Sequence, residues 1–158
     1  MDRNSKSETR NSASVHDLVR KMKVSSNEQQ TASTSVRDFT NLDAWKLARE
    51  LRSSVYEMTK TLPSGEKYVL ANQLRRTVIS ISANIAEGYG RFSYRENVQF
   101  CRQARGSAYE VRDHLTTALD AGYLLEKDWR ELDMKTQRVI QVLNGYIRST
   151  NALAKQAM

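Results

Sequence analysis

Five side chains suited to phosphate and base recognition recur along one predicted helix. At about 100° per residue they fall on one flank: Arg95, Arg102, Arg105, Tyr109 and Arg112. The opposite flank carries Glu96, Glu110 and His114. A helix that is merely solvated usually mixes its charges, so this segregation indicates a surface with a specific electrostatic task.

An arginine row with an interleaved aromatic residue suits nucleic acid. The guanidinium fork matches phosphate oxygens, and a tyrosine ring stacks on an unpaired base. Arg75, Arg76 and Arg91 extend the row if the connection between the second and third helices folds toward it. The competing interpretation is a rim of salt bridges to acids on another helix or subunit. The spacing alone does not decide between the two.

Catalytic and metal-binding patterns are not evident in the sequence. Ser80 and Ser82 have no base tied to them by any pattern, because the two histidines are His16 and His114. Cys101 falls on a core position and is predicted to be a small buried apolar group. His114 has no Cys or His partner at ligand spacing. We therefore predict no enzyme activity, no metal and no cofactor.

Composition favours one helical domain. The chain has 158 residues, a formal charge of +7, one proline, six glycines and one cysteine. Few turn-forming residues favour long helices over a sheet, and excess positive charge favours polyanionic partners. A single cysteine fits a reducing cytoplasm. Without a signal peptide or an apolar run of membrane length, we expect a cytoplasmic protein with no membrane partner.

Apolar periodicity divides the chain into a tail and a bundle. Residues 1–38 are polar and are predicted to be a disordered tail, in which residues 14–23 have one amphipathic stretch. Residues 39–158 are predicted to form an antiparallel up-down-up-down four-helix bundle. Its expected helices span about 42–62, 66–87, 93–121 and 128–153.

Helix ends and interfaces have their own signals. We expect Thr40 or Asn41 to cap the first helix, and Gly88 to end the second in a left-handed conformation. Ser93 and Glu96 have capping-box spacing, and Gly122 should end the third helix. A polar row beside the apolar seam of the second helix indicates a tightly packed interface, within the bundle or between copies: Gln73, Thr77, Ser80 and Asn84.

Aromatic residues outnumber the positions that the four apolar seams provide. They are Trp45, Tyr56, Phe92, Phe100, Tyr123 and Trp129. A small bundle cannot hide all of them, and aromatic surface left exposed usually marks a contact with a partner. We therefore expect self-association.

Several blocks of the sequence resemble one known family. They are Phe39–Trp45, Pro63–Leu70, Gln73–Arg76, Ser80-Ile81, Asn84-Ile85-Ala86-Glu87-Gly88, Arg91, Ala104-Arg105-Gly106-Ser107, Glu110 and Gly122-Tyr123-Leu124. The chain resembles, over residues 39–153, the four-helix bundle proteins encoded by intervening sequences of bacterial 23S ribosomal RNA genes. That family includes the accessory variability protein of diversity-generating retroelements.

The resemblance implies a non-enzymatic bundle that forms a ring-like homopentamer and binds nucleic acid through a basic surface. In the retroelement branch, it also implies contact with a reverse transcriptase. Combined with the arginine row, it predicts an oligomer that binds structured RNA or RNA/DNA. The alternative function is a protein-interaction scaffold, such as a reverse transcriptase accessory subunit, whose arginines pair with acids of the partner.

Overall fold

Residues 38–91 and 93–156, the part of the chain described by this computed structural model, contain four α-helices. They are α1 (Asp43–Thr59), α2 (Leu70–Gly90), α3 (Tyr94–Asp120) and α4 (Glu126–Gln156). Short 3-10 turns precede α1, at Phe39–Asn41, and α2, at Ser64–Lys67. The amphipathic stretch at 14–23 and all of the predicted tail except Asp38 lie outside the described residues.

The helices pack as a closed four-membered ring. α1 packs against α2 and α4, and α3 packs against the same two helices. Short connections between consecutive helices make neighbours antiparallel. The predicted all-α, up-down-up-down four-helix bundle is therefore confirmed.

The core consists of the apolar seams that the sequence periodicity predicted. Each helix contributes aliphatic side chains with no exposed surface, among them Leu51, Val55, Leu74, Val78, Ile81, Val111, Leu115, Val139 and Leu143. Small residues on α3, Ala104 and Ala108, are also fully buried. Because they carry only a methyl group, they let the neighbouring helices approach α3 closely.

The predicted side-chain caps are not formed. α1 begins after Leu42, which has no side-chain cap, and Thr40 instead belongs to the preceding 3-10 turn, where its N–H donates to Asp38 Oδ1 (3.0 Å). Ser93 does occupy the N-cap position of α3, but its hydroxyl makes no capping bond. Its backbone carbonyl accepts the first hydrogen bond of the helix, from the Asn97 N–H (3.0 Å), as expected of an N-cap residue. The capping box predicted for Ser93 and Glu96 is therefore wrong.

Gly122 ends a helix, whereas Gly88 lies inside one. Gly122 has a φ of 73° and follows the end of α3, as predicted. Gly88 lies inside α2, which continues to Gly90, so the predicted left-handed cap is wrong. A Cβ at Gly88 would lie 2.9 Å from Phe100 Cβ and 3.2 Å from the Asn97 carbonyl oxygen. Gly88 is therefore required for the close approach of α2 to α3.

The second helix begins later than predicted. Glu66 lies in the 3-10 turn, where it accepts a hydrogen bond from the Tyr123 hydroxyl (Oε1, 3.3 Å). Tyr123 belongs to the α3–α4 connection, so this bond joins the two connections at one end of the bundle. The regular α-helix starts only at Leu70.

Three residues of the predicted polar row of α2, Thr77, Ser80 and Asn84, pack against α3 within the bundle, whereas Gln73 is exposed. The hydroxyls of Ser80 and Ser107 lie 2.9 Å apart. Asn84 Nδ2 donates to the Ser80 carbonyl (2.8 Å) and to its hydroxyl (3.0 Å). Thr77 is buried at the same junction. The predicted tight interface is therefore an intramolecular one.

Candidate nucleic-acid interface

Three of the predicted site residues form an exposed row on the outer face of α3. Arg95, Arg102 and Tyr109 are each seven residues apart, about 10 Å per step along the helix axis. Neither arginine makes a hydrogen bond or an ion pair with another described residue. Tyr109 is 52% exposed. We call these three residues the outer ridge of α3.

Arg105 borders this ridge at the junction between α3 and α4. Its Nη1 donates to Asn144 Oδ1 on α4 (2.7 Å), and the side chain is half-buried. Because an amide is neutral, this contact fixes the guanidinium without cancelling its charge. The remaining N–H groups of the fork stay available for phosphate oxygens.

Arg112, in contrast, forms a salt bridge within the bundle. Its Nε donates to Asp133 Oδ1 (2.5 Å) and its Nη2 to Oδ2 (3.3 Å). Asp133 is buried on α4 and also accepts from Gln137 Nε2 (2.6 Å). The two hydrogen bonds to Asp133 neutralise the charge of Arg112 and occupy two of its N–H groups. Arg112 therefore forms an intramolecular salt bridge, as the competing interpretation of the arginine row predicts.

Arg75 and Arg76 do not extend the outer ridge. Arg75 Nε donates to Thr59 Oγ1 (2.8 Å), and its guanidinium lies 5.4 Å from the centre of the Tyr56 ring, so it is held between α1 and α2. The α3–α4 junction lies on another side of the bundle. Arg76 is exposed on α2 and has no charged partner among the described residues.

Arg91 lies at the end of the bundle where α3 begins. It pairs with Glu87 (2.5 Å), contacts Glu96 at 4.0 Å, and covers the Phe100 ring at 5.0 Å from its centre. Two acids therefore offset its charge. Arg91 is close to Arg95 in the sequence, but its guanidinium already interacts with these two acids and with the Phe100 ring.

One further cation, which sequence reasoning missed, joins this surface. In the antiparallel register set by the Arg105–Asn144 contact, Arg148 lies one turn further along α4, level with Arg102. Arg148 is exposed. A wheel of α4 alone gives no signal for it, because the pairing depends on the register between α3 and α4.

The charge on the outer face of α3 changes from positive near the start of the helix to negative beyond Tyr109. Asp113 and Asp120 continue the helical face of the ridge beyond Tyr109, and both are exposed. α4 begins nearby with Glu126 and Asp128 in its first turn. On this face of α3, the positive surface is therefore limited to the half of the helix that contains its start, and it ends near Tyr109.

Groups that would support other chemistry are inert or lack partners for it. Cys101 is buried, as predicted, and burial raises the pKa of its thiol to about 12. The hydroxyl of Ser80 bonds to Ser107 and Asn84 rather than to a base. In the described part of the chain, no three side chains of Cys, His, Asp and Glu cluster as a metal site would require.

The aromatic residues are more buried than the seams alone predicted. Trp45, Tyr56, Tyr123 and Trp129 are partly buried against the core, whereas Phe92 lies outside the described residues. The more exposed apolar side chains are others, including Tyr68 at 79%, Val69 at 63% and Leu125 at 64%. They belong to the two connections that Glu66 and Tyr123 join.

None of the described helices has both the length and the apolar composition needed to cross a lipid bilayer. Among solved structures, the fold is similar to that of a protein of unknown function from the S23 ribosomal protein family of Bacteroides thetaiotaomicron. The match has a TM-score of 0.63 at 20% identity and covers 66% of this chain and 95% of that one. No curated protein matches this chain.

The family comparison covers most of the bundle. The sequence model of the 23S rRNA-intervening sequence protein family matches residues 40–145, from the 3-10 turn before α1 to the last third of α4. This range includes the close α2–α3 junction at Gly88 and the outer ridge of α3. The chain therefore belongs to the 23S rRNA-intervening sequence protein family.

Proposed function

We propose that this protein is a non-enzymatic, oligomeric bundle that binds structured RNA or RNA/DNA through the phosphate backbone. The observation that carries the proposal is the exposure of Arg95 and Arg102 without any acidic partner among the described residues. Arg105, held by a neutral amide, adds a third cation at their border. The family name supports an association with ribosomal RNA.

The chemistry of these side chains favours phosphate over a carboxylate partner inside the protein. Arg112 illustrates the alternative, since it has a buried aspartate within 2.5 Å. Arg95 and Arg102 have no such acid, and leaving two cations about 10 Å apart on one helix gains nothing for the fold. A polyanion would use both, because each phosphate contact releases condensed counterions.

The proposed assembly follows the family resemblance, and the proposed cellular setting follows the single cysteine of the sequence. We propose a homopentamer in the cytoplasm, without a cofactor and without membrane attachment. Within the retroelement branch of the family, the same bundle would also contact a reverse transcriptase.

The salt dependence of binding tests this proposal. The logarithm of the affinity falls with the logarithm of the salt concentration, with a slope of about 0.9 per phosphate contact on duplex DNA and about 0.7 on single strands. We expect the double variant Arg95→Glu/Arg102→Glu to reduce the slope by about 1.4 on a single strand. The slope is obtained by measuring the affinity for a labelled RNA by fluorescence anisotropy at about six salt concentrations, from about 50 to 300 mM.

A matched double reversal controls for net charge. Arg130 and Arg138 are exposed on α4, away from the ridge, and Arg130 pairs with Glu126. The variant Arg130→Glu/Arg138→Glu therefore changes the net charge equally and should keep most of the slope. If both double variants weaken binding alike, the protein binds only through its overall charge, and the ridge is not the site.

A second candidate function is a scaffold for a protein partner, which the exposed apolar end of the bundle favours. Tyr68, Val69 and Leu125 are each more than half exposed where the two connections meet. Exposed apolar groups of this kind are typical of protein contacts. A partner retained after nuclease treatment and released by Tyr68→Ser/Leu125→Ser would favour this function over nucleic-acid binding.

A further inference from the structure

Gly106 is an exposed glycine in the middle of α3, a position where glycine destabilises the helix. A glycine inside a helix is less favourable than alanine because it adds backbone entropy to the unfolded chain. Gly106 is exposed, and a Cβ placed there would meet nothing within 4 Å. Packing within the described bundle therefore gives no reason for glycine at this position, in contrast to Gly88.

The surroundings of Gly106 are the side chains of the candidate interface. Residues three and four positions apart are neighbours on a helix surface, so Arg102 and Tyr109 border Gly106 on one side. Gln103 and Glu110 border it on the other. The missing side chain leaves a saddle in which the helix backbone is accessible between a cation and an aromatic ring.

We propose that this saddle holds one unpaired nucleotide, whose base stacks on Tyr109 while its phosphate contacts Arg102. This inference rests on the proposed function and specifies its ligand as a single-stranded segment. Glycine permits close approach of a ligand to the backbone. An unpaired base offers a free face for stacking, whereas the bases of a duplex are already stacked on each other.

The extent of the positive surface fits a short single strand. From Arg95 to Tyr109 the helix rises about 21 Å, so a strand that follows the ridge contacts it over only a few nucleotides. Beyond Tyr109, Asp113 would repel a further phosphate. The nucleotide on the saddle would therefore lie near one end of a short footprint.

Two kinds of variant test the saddle, with a fluorescein-labelled oligouridylate of about twelve nucleotides as probe. Stacking of one base on an aromatic side chain is worth roughly 5- to 150-fold in affinity, so Tyr109→Ala should weaken binding within that range. Tyr109→Phe should stay within about twofold, because it keeps the ring. Gly106→Ala should weaken binding at least about threefold, and Gly106→Leu more, because each lifts the nucleotide off the ring.

Gly106→Ala should stabilise the fold, although it should weaken binding. The thermal midpoint should rise by about 2–5 °C, because alanine is the better helix former. Gly145→Ala is the matched control. This glycine also lies inside a helix, α4, and its added Cβ would come no closer than 4.0 Å to Arg148 Nη2. It should gain stability and keep its affinity.

The outcomes separate this inference from the proposed function. If Gly106→Ala and Gly106→Leu bind the oligonucleotide like the wild type while Arg95→Glu/Arg102→Glu does not, the ridge binds phosphates but the saddle is empty. A duplex that binds as tightly as the single strand overturns the assignment to unpaired nucleotides. If Gly106→Leu changes the oligomeric mass instead of the affinity, the saddle is a subunit contact, and the inference is wrong.

Discussion

Replacing Gly88 by alanine should destabilise the bundle, although alanine is the better helix former. An added Cβ would lie 2.9 Å from Phe100 Cβ, 3.2 Å from the Asn97 carbonyl oxygen and 3.5 Å from Asn97 Nδ2. Optimal carbon contacts are about 3.5–4.0 Å. The first two atoms are a Cβ and a backbone oxygen, so neither can rotate away. α2 and α3 would have to move apart.

The magnitude follows from two opposing contributions. Overpacking of a well-packed interior costs about 1–3 kcal/mol, and the loss of a helical glycine regains up to about 1 kcal/mol. We expect a net loss of about 1–2 kcal/mol in the free energy of unfolding, because the contacted atoms are rigid. For a domain of this size, that lowers the thermal midpoint by about 3–8 °C.

Gly106→Ala makes the same chemical change on the neighbouring helix and provides the comparison. Its Cβ would enter open space, so this variant should melt above the wild type. Thermal melts followed by circular dichroism at several protein concentrations measure both, since oligomers are more stable at higher concentration. A Gly88→Ala protein that is as stable as Gly106→Ala would refute the close approach of α2 to α3.

Two further predictions concern the buried polar groups. Arg112→Met should cost about 1–3 kcal/mol of unfolding free energy in urea, because Asp133 is left buried without its cation, and adding Asp133→Leu should recover most of the loss. A Cys101 thiol whose pKa is raised from 9.0 to about 12 binds its proton more tightly in the folded state. Its contribution to stability is complete below pH 9 and declines as the pH rises toward 12. Between pH 8 and 10.5, wild type should lose about 2 kcal/mol more than Cys101→Ala. Equal losses would contradict the burial of the thiol.

The helices were predictable because their signals are local and repeated. Each apolar seam recurs over several turns, as Leu74, Val78, Ile81 and Ile85 do on α2, so an error at one position does not change the assignment. The helix ends were less predictable because they depend on tertiary contacts. Glycine favours a left-handed cap on local grounds, but Gly88 is used for packing against Phe100, which the local sequence does not reveal.

The predicted site residues were only partly correct for a similar reason, because their final environments depend on tertiary contacts. On a wheel of α3 alone, Arg105 and Arg112 are equivalent members of one flank. Their environments differ only through α4, which presents the neutral Asn144 to one and the acidic Asp133 to the other. The same register brings Arg148 beside Arg102. A single helix therefore predicts which cations share a flank, and only the neighbouring helix determines which of them remain uncompensated.

The charge gradient along α3 restricts how a nucleic acid would lie on the bundle. A strand following α3 from Arg95 passes Arg102 and the neighbouring Arg105, then reaches Tyr109, and beyond it meets Asp113 and the acidic first turn of α4. Continued binding along the same helix would place phosphates against carboxylates. A longer strand must therefore leave α3 near Tyr109. Its next contacts would be with exposed cations elsewhere on the described surface, such as Arg76 on α2, or with the ridge of another copy of the chain. In an oligomer that uses its ridges in this second way, each copy would hold a short segment, and the ridges together would set the total length bound.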